Sequence, residues 1–189
     1  MRAYHFVGAT LRDGRPIPPD GEWLEHVGPL KLCSSGLHAS KHPFDALQYA
    51  PGATLCLVEM DGDIIENKDK LVASRRMIVT RRDATEMLRA FARAQALSVL
   101  HLWDAPQVVR EYLETGDESI RVAAWAAAGD TAGDTVRAAV RAAVRAAATR
   151  DAALVATTRY AALAAARNAT WDAARDDFQR RVDELFANC

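Results

Sequence analysis

The stretch that decides the fold is Leu30–Glu59, LKLCSSGLHASKHPFDALQYAPGATLCLVE. It predicts two short apolar strands, Leu30–Cys33 and Gly36–Ser40, joined by a tight turn. A short helix follows, with Pro43 in its first turn, where the missing N–H group is tolerated. The continuous apolar run Thr54–Met60 predicts a central strand that is buried on both faces. The second short strand carries an imidazole between small residues and ends on a hydroxyl, so we expect a pocket there.

Outward from this stretch, the composition changes sharply near Asp83. Most glycines, prolines and β-branched runs precede that residue, whereas alanine, arginine and leucine dominate after it. The pattern predicts an α+β unit over residues 1–82, with a small mixed or antiparallel sheet. It predicts an all-helical unit over residues 83–189, arranged as an array of helical hairpins because the elements recur at regular intervals.

Local signals place the individual elements. Ala3–Val7 and Lys70–Thr80 alternate as strands do, and Asp61-Gly62 has the composition of a turn between strands. Capping residues and helical periodicity predict the helices of the second unit. The last three of these are Thr135–Ala148, Asp151–Ala166 and Trp171–Ala187, with Trp103, Trp125, Tyr160, Trp171 and Phe178 as the large packing anchors.

Composition excludes several classes of protein. A formal net charge of -1 over 189 residues argues against a general nucleic-acid binder, which needs a basic excess. The three cysteines form no disulfide framework, and a reducing cytoplasm is the predicted compartment. No uninterrupted apolar run reaches the roughly 18 residues of a membrane span. A soluble protein without a membrane partner is therefore expected.

Two histidines stand out as candidate functional residues. His5 lies on the first predicted strand, while His38 and Ser40 lie on the strand of the central stretch. One interpretation is a structural pair of histidines satisfied within the core. The other is a cleft in which the two imidazoles and the hydroxyl face one ligand.

Two other groups of residues can be interpreted either as functional sites or as ordinary structural features. Cys33, His38, His42 and Cys56 are zinc-ligand types, but their gaps fit none of the common zinc spacings, so no metal is predicted. The stripe Arg137, Arg141 and Arg145 predicts a solvated helix face. An anion- or nucleic-acid-binding ridge is the alternative for that stripe.

The order of motifs over residues 3–80 resembles the ADP-ribosyltransferase fold. In that order a strand with His5 is followed by Gly-x-His-x-Ser at residues 36–40, a helix with A-x-x-Y-A, and an apolar strand. The resemblance implies NAD as the cofactor, with His5 on the ribose, His38 in the position of the usual tyrosine and Ser40 as the strand hydroxyl. The cofactor-binding residues that it implies are Tyr4, His5, Gly36, His38, Ser40 and Tyr49.

The same resemblance implies a catalytic carboxylate. In that fold the carboxylate stabilises an oxocarbenium-like centre and orients the nucleophile. Glu59, Glu66 and Asp69 are the candidates here, and none of them clearly occupies the position of the catalytic glutamate in that fold. The unit is therefore expected either to transfer ADP-ribose or to bind the nucleotide without turning it over.

A second resemblance covers the first 82 residues. The pattern is similar to an uncharacterised domain common in bacteriophage genomes, often joined to Ala-rich C-terminal segments. It is carried by Cys33, Gly36, His38, Ala39, Ser40, Pro43, Asp45, Ala46, Leu47, Tyr49, Val58, Glu59, Gly62, Asp69 and Lys70. The resemblance implies a phage-type protein acting in the host cytoplasm. The alternative function is a non-enzymatic interaction module for host takeover or anti-defence, whose helical unit docks a host or phage protein.

Overall fold

A computed structural model of the protein describes residues 1–129, 134–149, 151–166 and 171–187. It contains an antiparallel sheet followed by helices, which confirms the predicted α+β class. The chain divides between Ala84 and Thr85, close to the predicted boundary, into two units. The first unit is Met1–Ala84 with the end of the last helix from Leu185, and the second is Thr85–Glu184.

The first unit is built on one five-stranded sheet in which every pairing is antiparallel. Its strands run in the order β1-β4-β5-β2, with β3 pairing to β5 beside β2. A short helix, α1, connects β3 to β4 and has a proline at its start. The elements are β1 Arg2–Val7, β2 Trp23–Glu25, β3 Leu37–Ala39, α1 Pro43–Leu47, β4 Thr54–Glu66 and β5 Leu71–Asp83.

A bridge between Tyr4 and Ser40 joins β3 to β1 and closes the sheet on itself. The Tyr4 N–H donates to the Ser40 carbonyl at 2.8 Å, and the Ser40 N–H donates back to the Tyr4 carbonyl at 2.9 Å. The pairing thus runs in a circuit from β1 through β4, β5 and β3 back to β1. The apolar core lies on one face of it and comprises Ala3, Val7, Ala39, Cys56, Val58, Met60, Leu71, Ala73 and Ile78.

The structure corrects the prediction of a turn at Asp61-Gly62. The strand β4 continues through these residues to Glu66, and a bulge between Asp61 and Ile64 takes the extra length. Gly62 has a φ of 74°, a conformation that bulges and tight turns share. The Asp-Gly pair therefore marks a bend within a long hairpin, whose actual turn is closed by the Asn67 N–H donating to the Lys70 carbonyl.

The prediction of a strand at Leu30–Cys33 is also wrong. That segment is a loop with a single bridge between Lys31 and Ser35, and Cys33 has a left-handed φ of 65°. A residue in that conformation breaks the extended geometry that a strand requires. Trp23–Glu25 forms the edge strand instead, paired to Arg75–Met77 of β5.

The second unit is helical, as predicted. Within it α2 packs against α5 and α6, α5 packs against α6, and α3 packs against α2 and α4. Among the described residues no helix is both long and apolar enough to cross a membrane. The helices are α2 Thr85–Val99, α3 Gln107–Thr115, α4 Arg121–Ala127, α5 Thr135–Ala147, α6 Asp151–Ala166 and α7 Trp171–Ala187, with short 3-10 turns at Leu100–Leu102 and Glu118–Ile120.

Large side chains anchor this unit less uniformly than predicted. Phe178 is fully buried and meets the Phe91 ring edge-on, with ring centroids 4.9 Å apart. Tyr160 and Trp171, which were expected to be anchors, are exposed. Alanines fill much of the interior of α5 and α6, so the helices can approach closely there.

The arginine stripe of α5 is partly exposed to solvent and stacks on two tryptophan rings. Arg137 lies 5.1 Å from the centre of the Trp103 ring, and Arg141 lies 4.0 Å from the centre of the Trp125 ring. Arg145 lies 5.9 Å from the same Trp125 ring. Arginines stacked on tryptophan faces gain cation–π attraction as well as cover for apolar surface. The stripe therefore has a structural role, and the tryptophans are its partners.

Candidate functional site

The first unit contains a cavity of about 810 Å³. It is lined by β1, β2, β3, the middle of β5, α1 and the loops that follow β1 and precede β3 and β5. Its volume falls within the range of small-molecule and cofactor sites, roughly 300–1,000 Å³. All six residues predicted to bind a cofactor line it, namely Tyr4, His5, Gly36, His38, Ser40 and Tyr49.

His5 reaches the cavity from β1. It pairs with Cys56 of β4 and is partly buried. Burial, followed by the positive charge of Arg76 and the neighbouring His38, holds the pKa of the His5 imidazole well below its usual range. The ring is therefore neutral at neutral pH and offers one donor and one acceptor nitrogen to a ligand.

His38 holds a loop as well as lining the cavity. Its Nε2 accepts a hydrogen bond from the Cys33 N–H at 3.0 Å, so the proton of the neutral ring is on Nδ1. Burial lowers the pKa of His38, and the positive charge of Arg76 lowers it further. A backbone hydrogen bond at Gly36 partly offsets this by raising the pKa. Because the imidazole bonds the backbone of Cys33, it helps to keep that residue in its left-handed conformation. His38 thus sets the shape of one cavity wall.

Ser40 supplies a buried hydroxyl to the same cavity. Only 1% of the residue is exposed, and its backbone is held by the bridge to Tyr4. Because Ser40 lines the cavity, its hydroxyl can donate a hydrogen bond to a ligand there or accept one from it.

Tyr49 and Lys70 form one rim of the cavity. The Tyr49 hydroxyl donates to Asp69, and Lys70 donates to that hydroxyl at 3.1 Å with its ammonium 4.6 Å from the ring centre. Desolvation and the bond to Asp69 raise the Tyr49 pKa, and hydrogen bonds to Cys33 and Tyr49 raise the pKa of Lys70. The tyrosine ring is half exposed, so it offers an aromatic surface at the entrance.

The three candidate carboxylates lie outside the lining of the cavity. Glu59 bonds the N-terminal ammonium and sits between Val58 and Met60 of the core, so its side chain points to the opposite face of the sheet. Glu66 is paired with Lys41. Asp69 accepts from the rim residue Tyr49 and is the candidate nearest the cavity. Their catalytic role stays a prediction.

Sequence reasoning missed the cationic side chains of the cavity. Arg12, Arg15, Lys70 and Arg76 line it, and Asp13, which is paired with Arg15, is the carboxylate among the lining residues. This excess of positive charge contrasts with the formal net charge of -1 for the whole chain. The available signal was the pair Arg75-Arg76 between the apolar runs Leu71–Ala73 and Met77–Val79, where buried charge is unusual.

The cysteine and histidine positions weighed as metal ligands do not converge as a set. Within the described ranges, no group of three or more His, Cys, Asp or Glu side chains is placed to hold a metal ion. Cys56 is buried on β4, and burial raises the pKa of its thiol to about 11. Cys56 therefore behaves as a small apolar core residue.

The depressed pKa of His5 predicts a loss of stability in acid. The unfolded chain takes up a proton near pH 6.5 while native His5 does not, so the free energy of unfolding falls as pH drops below about 6.5. The fall continues until pH reaches the native pKa, at up to about 1.4 kcal/mol per pH unit from this residue. Urea unfolding between about pH 7 and about pH 5 measures it.

In this measurement His5→Gln should flatten the pH dependence of stability. His42→Gln, at an exposed position outside the cavity, is the control for the histidine-to-glutamine replacement itself. A slope that is identical in wild type and His5→Gln would contradict the assignment of a neutral native imidazole.

Fold and cavity together define a small α+β module built around a positively charged pocket. Residues 1–90 are similar to a domain of unknown function, DUF7666. The matched stretch includes every residue that lines the cavity, so the site belongs to the part of the chain that resembles this domain. Searches of curated proteins and of solved structures gave no match.

Proposed function

We propose that the first unit is an ADP-ribosyltransferase-like module that binds a nucleotide such as NAD in its cavity. The observation that carries this proposal is the convergence of His5, His38 and Ser40 on one cavity. These residues are separated along the chain, and the Tyr4–Ser40 bridge holds their two strands together. A structural histidine pair would not need an open volume of nucleotide size beside it.

The chemistry of the lining supports a nucleotide. Neutral His5 and the Ser40 hydroxyl, which both line the cavity, suit the hydroxyl groups of a ribose, since each can donate or accept a hydrogen bond. The half-exposed Tyr49 ring suits the face of a base or of nicotinamide. Cationic side chains on the same walls suit the phosphates.

Transfer of ADP-ribose would need a carboxylate beside the ribose carbon that reacts. Asp69 is the candidate we favour for that role, because it contacts Tyr49, whereas Glu59 and Glu66 bond groups away from the cavity lining. Asp69 already accepts hydrogen bonds from Tyr49 and Gln48. Binding is therefore the primary function proposed, with transfer as a further activity of the same site.

Titration of the purified full chain with NAD tests the proposal. Wild type should bind, and His38→Ala should weaken binding about tenfold or more, since it removes a ligand-facing ring and releases the Cys33 loop. His42→Ala, at an exposed position outside the lining, is the matched control and should bind as wild type does. Labelled NAD incubated with the same proteins reports any transfer of ADP-ribose.

Absence of NAD binding and of transfer in wild type would reject the proposal, as would equal affinity of the folded His38→Ala variant. Circular dichroism establishes that each variant is folded. The alternative, a non-enzymatic interaction module, would then be favoured. It is supported by α6, which exposes Tyr160 and Leu163 about one helical turn apart, as a surface for a protein partner would.

A further inference from the structure

We propose that Arg76 forms an anion subsite within the cavity, and that the natural ligand places a phosphate group against its guanidinium. The inference rests on the same cavity as the proposed function and adds the chemical class of the ligand. It does not depend on which nucleotide, if any, carries the phosphate. The argument comes from the burial, the partners and the surroundings of this one arginine.

Arg76 is a buried cation without a carboxylate partner. It lies on β5 between Leu24 and Met60 of the neighbouring strands, and only 5% of it is exposed. Its Nη1 donates to the His38 carbonyl at 2.6 Å. Across the described ranges, no acidic group lies within ion-pair distance of it, and no other hydrogen bond of its guanidinium is found.

Two other arginines of the same strand have acidic partners. Arg75 is paired with both Glu25 and Asp61, and Arg81 is paired with Asp20. The described part of the chain thus provides acidic partners for Arg75 and Arg81 but none for Arg76 itself. That contrast indicates that the missing partner comes from outside the chain.

Physical chemistry gives the reason to expect a ligand. Burial lowers the pKa of Arg76 to about 10, which leaves the guanidinium charged at neutral pH. A charge held away from water without a counter-charge is costly, and an anion bound beside it removes much of that cost. The planar guanidinium has five N–H donors, and its fork matches the oxygens of a phosphate.

The surroundings favour an anion over a neutral ligand. Arg76 bonds the His38 carbonyl, and its charge also reaches the His5 ring, whose neutral imidazole can donate a further hydrogen bond to a ligand. Arg12 and Lys70 add positive charge on the same cavity walls. Since Asp13 is paired with Arg15, it does not offset this field.

Thermal unfolding of the full chain with pyrophosphate, NAD or adenosine separates the possible ligands. At about ten times its Kd, pyrophosphate should raise the Tm of wild type by several degrees, since it binds the native state. Adenosine, which lacks phosphate, should raise it less than NAD does. Calorimetric titration gives the corresponding affinities.

Arg76→Gln should weaken pyrophosphate binding by about 10- to 100-fold, the effect of losing charge-assisted hydrogen bonds. Arg75→Gln removes a neighbouring arginine that lies outside the cavity, and it should bind as wild type does. Arg76→Lys keeps the charge but not the fork, so it should bind with intermediate affinity. Should Arg76→Gln not fold, the side-chain N–H resonance of Arg76 in ¹⁵N-labelled wild type, assigned with Arg76→Lys, should shift when pyrophosphate is added.

Two results would overturn the inference. One is a folded Arg76→Gln protein with wild-type affinity for pyrophosphate, and the other is no effect of pyrophosphate on the Tm or on the Arg76 resonance. Failure of the proposed function looks different. If pyrophosphate binding depends on Arg76 but NAD does not bind, the anion subsite is kept and the nucleotide proposal is rejected. If NAD binds and Arg76→Gln does not change its affinity, the nucleotide proposal is kept and the anion subsite is rejected.

Discussion

Replacing Gly36 with alanine should lower the free energy of unfolding of the first unit by about 3 kcal/mol. Gly36 has a φ of +109°, which an L side chain rarely adopts, and an added Cβ would lie 2.4 Å from Val72 Cγ2 and 2.8 Å from Leu30 Cδ2. The backbone strain and the overpacking therefore act together. Urea unfolding followed by far-ultraviolet circular dichroism measures the loss.

Gly14→Ala is the matched control for that experiment. Gly14 also has a positive φ, +84°, but an added Cβ would meet nothing within 4 Å. Its replacement should therefore cost only the conformational strain, about 1 kcal/mol. Equal losses for the two variants would show that Gly36 is not closely packed against Val72. Because Gly36 lines the cavity, its variant should also lose any ligand that the wild type binds.

Phe91→Ala should destabilise the helical unit by about 3–5 kcal/mol. Phe91 is fully buried on α2, and its ring meets Phe178 of α7 at an interplanar angle of 80°. Truncation would leave a cavity in the interior of the helical unit. Because most other interior residues of these helices are small, neighbouring side chains cannot fill it. Chemical unfolding monitored by circular dichroism at the helical wavelength gives the change in free energy.

Val122→Ala provides the reference for a helix position in contact with water. Val122 is 68% exposed on α4, and its truncation should change stability by less than about 0.5 kcal/mol. A double-mutant cycle of Phe91→Ala and Phe178→Ala should give a coupling free energy of about 1 kcal/mol for the two rings. A loss below about 1 kcal/mol for Phe91→Ala would contradict the packing described.

Elements with strong local signals were predictable from the sequence. The bounds of α6 and α7 agree with the prediction, and α5 begins at the predicted residue behind Asp134, whose carboxylate accepts from the Val136 and Arg137 N–H groups. Capping residues and helical periodicity act over a few neighbouring positions. These elements could therefore be identified without knowledge of the rest of the chain.

Elements that depend on strand partners were predicted less well. The Asp61-Gly62 pair has the composition of a turn, but β5 pairs with both sides of it and makes it a bulge. Leu30–Cys33 has the composition of a strand but forms a loop. Turn and bulge use similar residue preferences, so only the pairing of distant segments distinguishes them.

The sequence by itself determined the α+β class, the helical second unit and the grouping of His5, His38 and Ser40 as candidate site residues. Only the tertiary structure decided that these three share one cavity, that Glu59 points away from it, and that Arg76 is buried beside it without an acidic partner. The physical reason is the distance along the chain between interacting groups. The burial of a side chain and its ion-pair partners depend on contacts between strands that are far apart in sequence, such as β3 and β5. Local sequence patterns do not report these contacts.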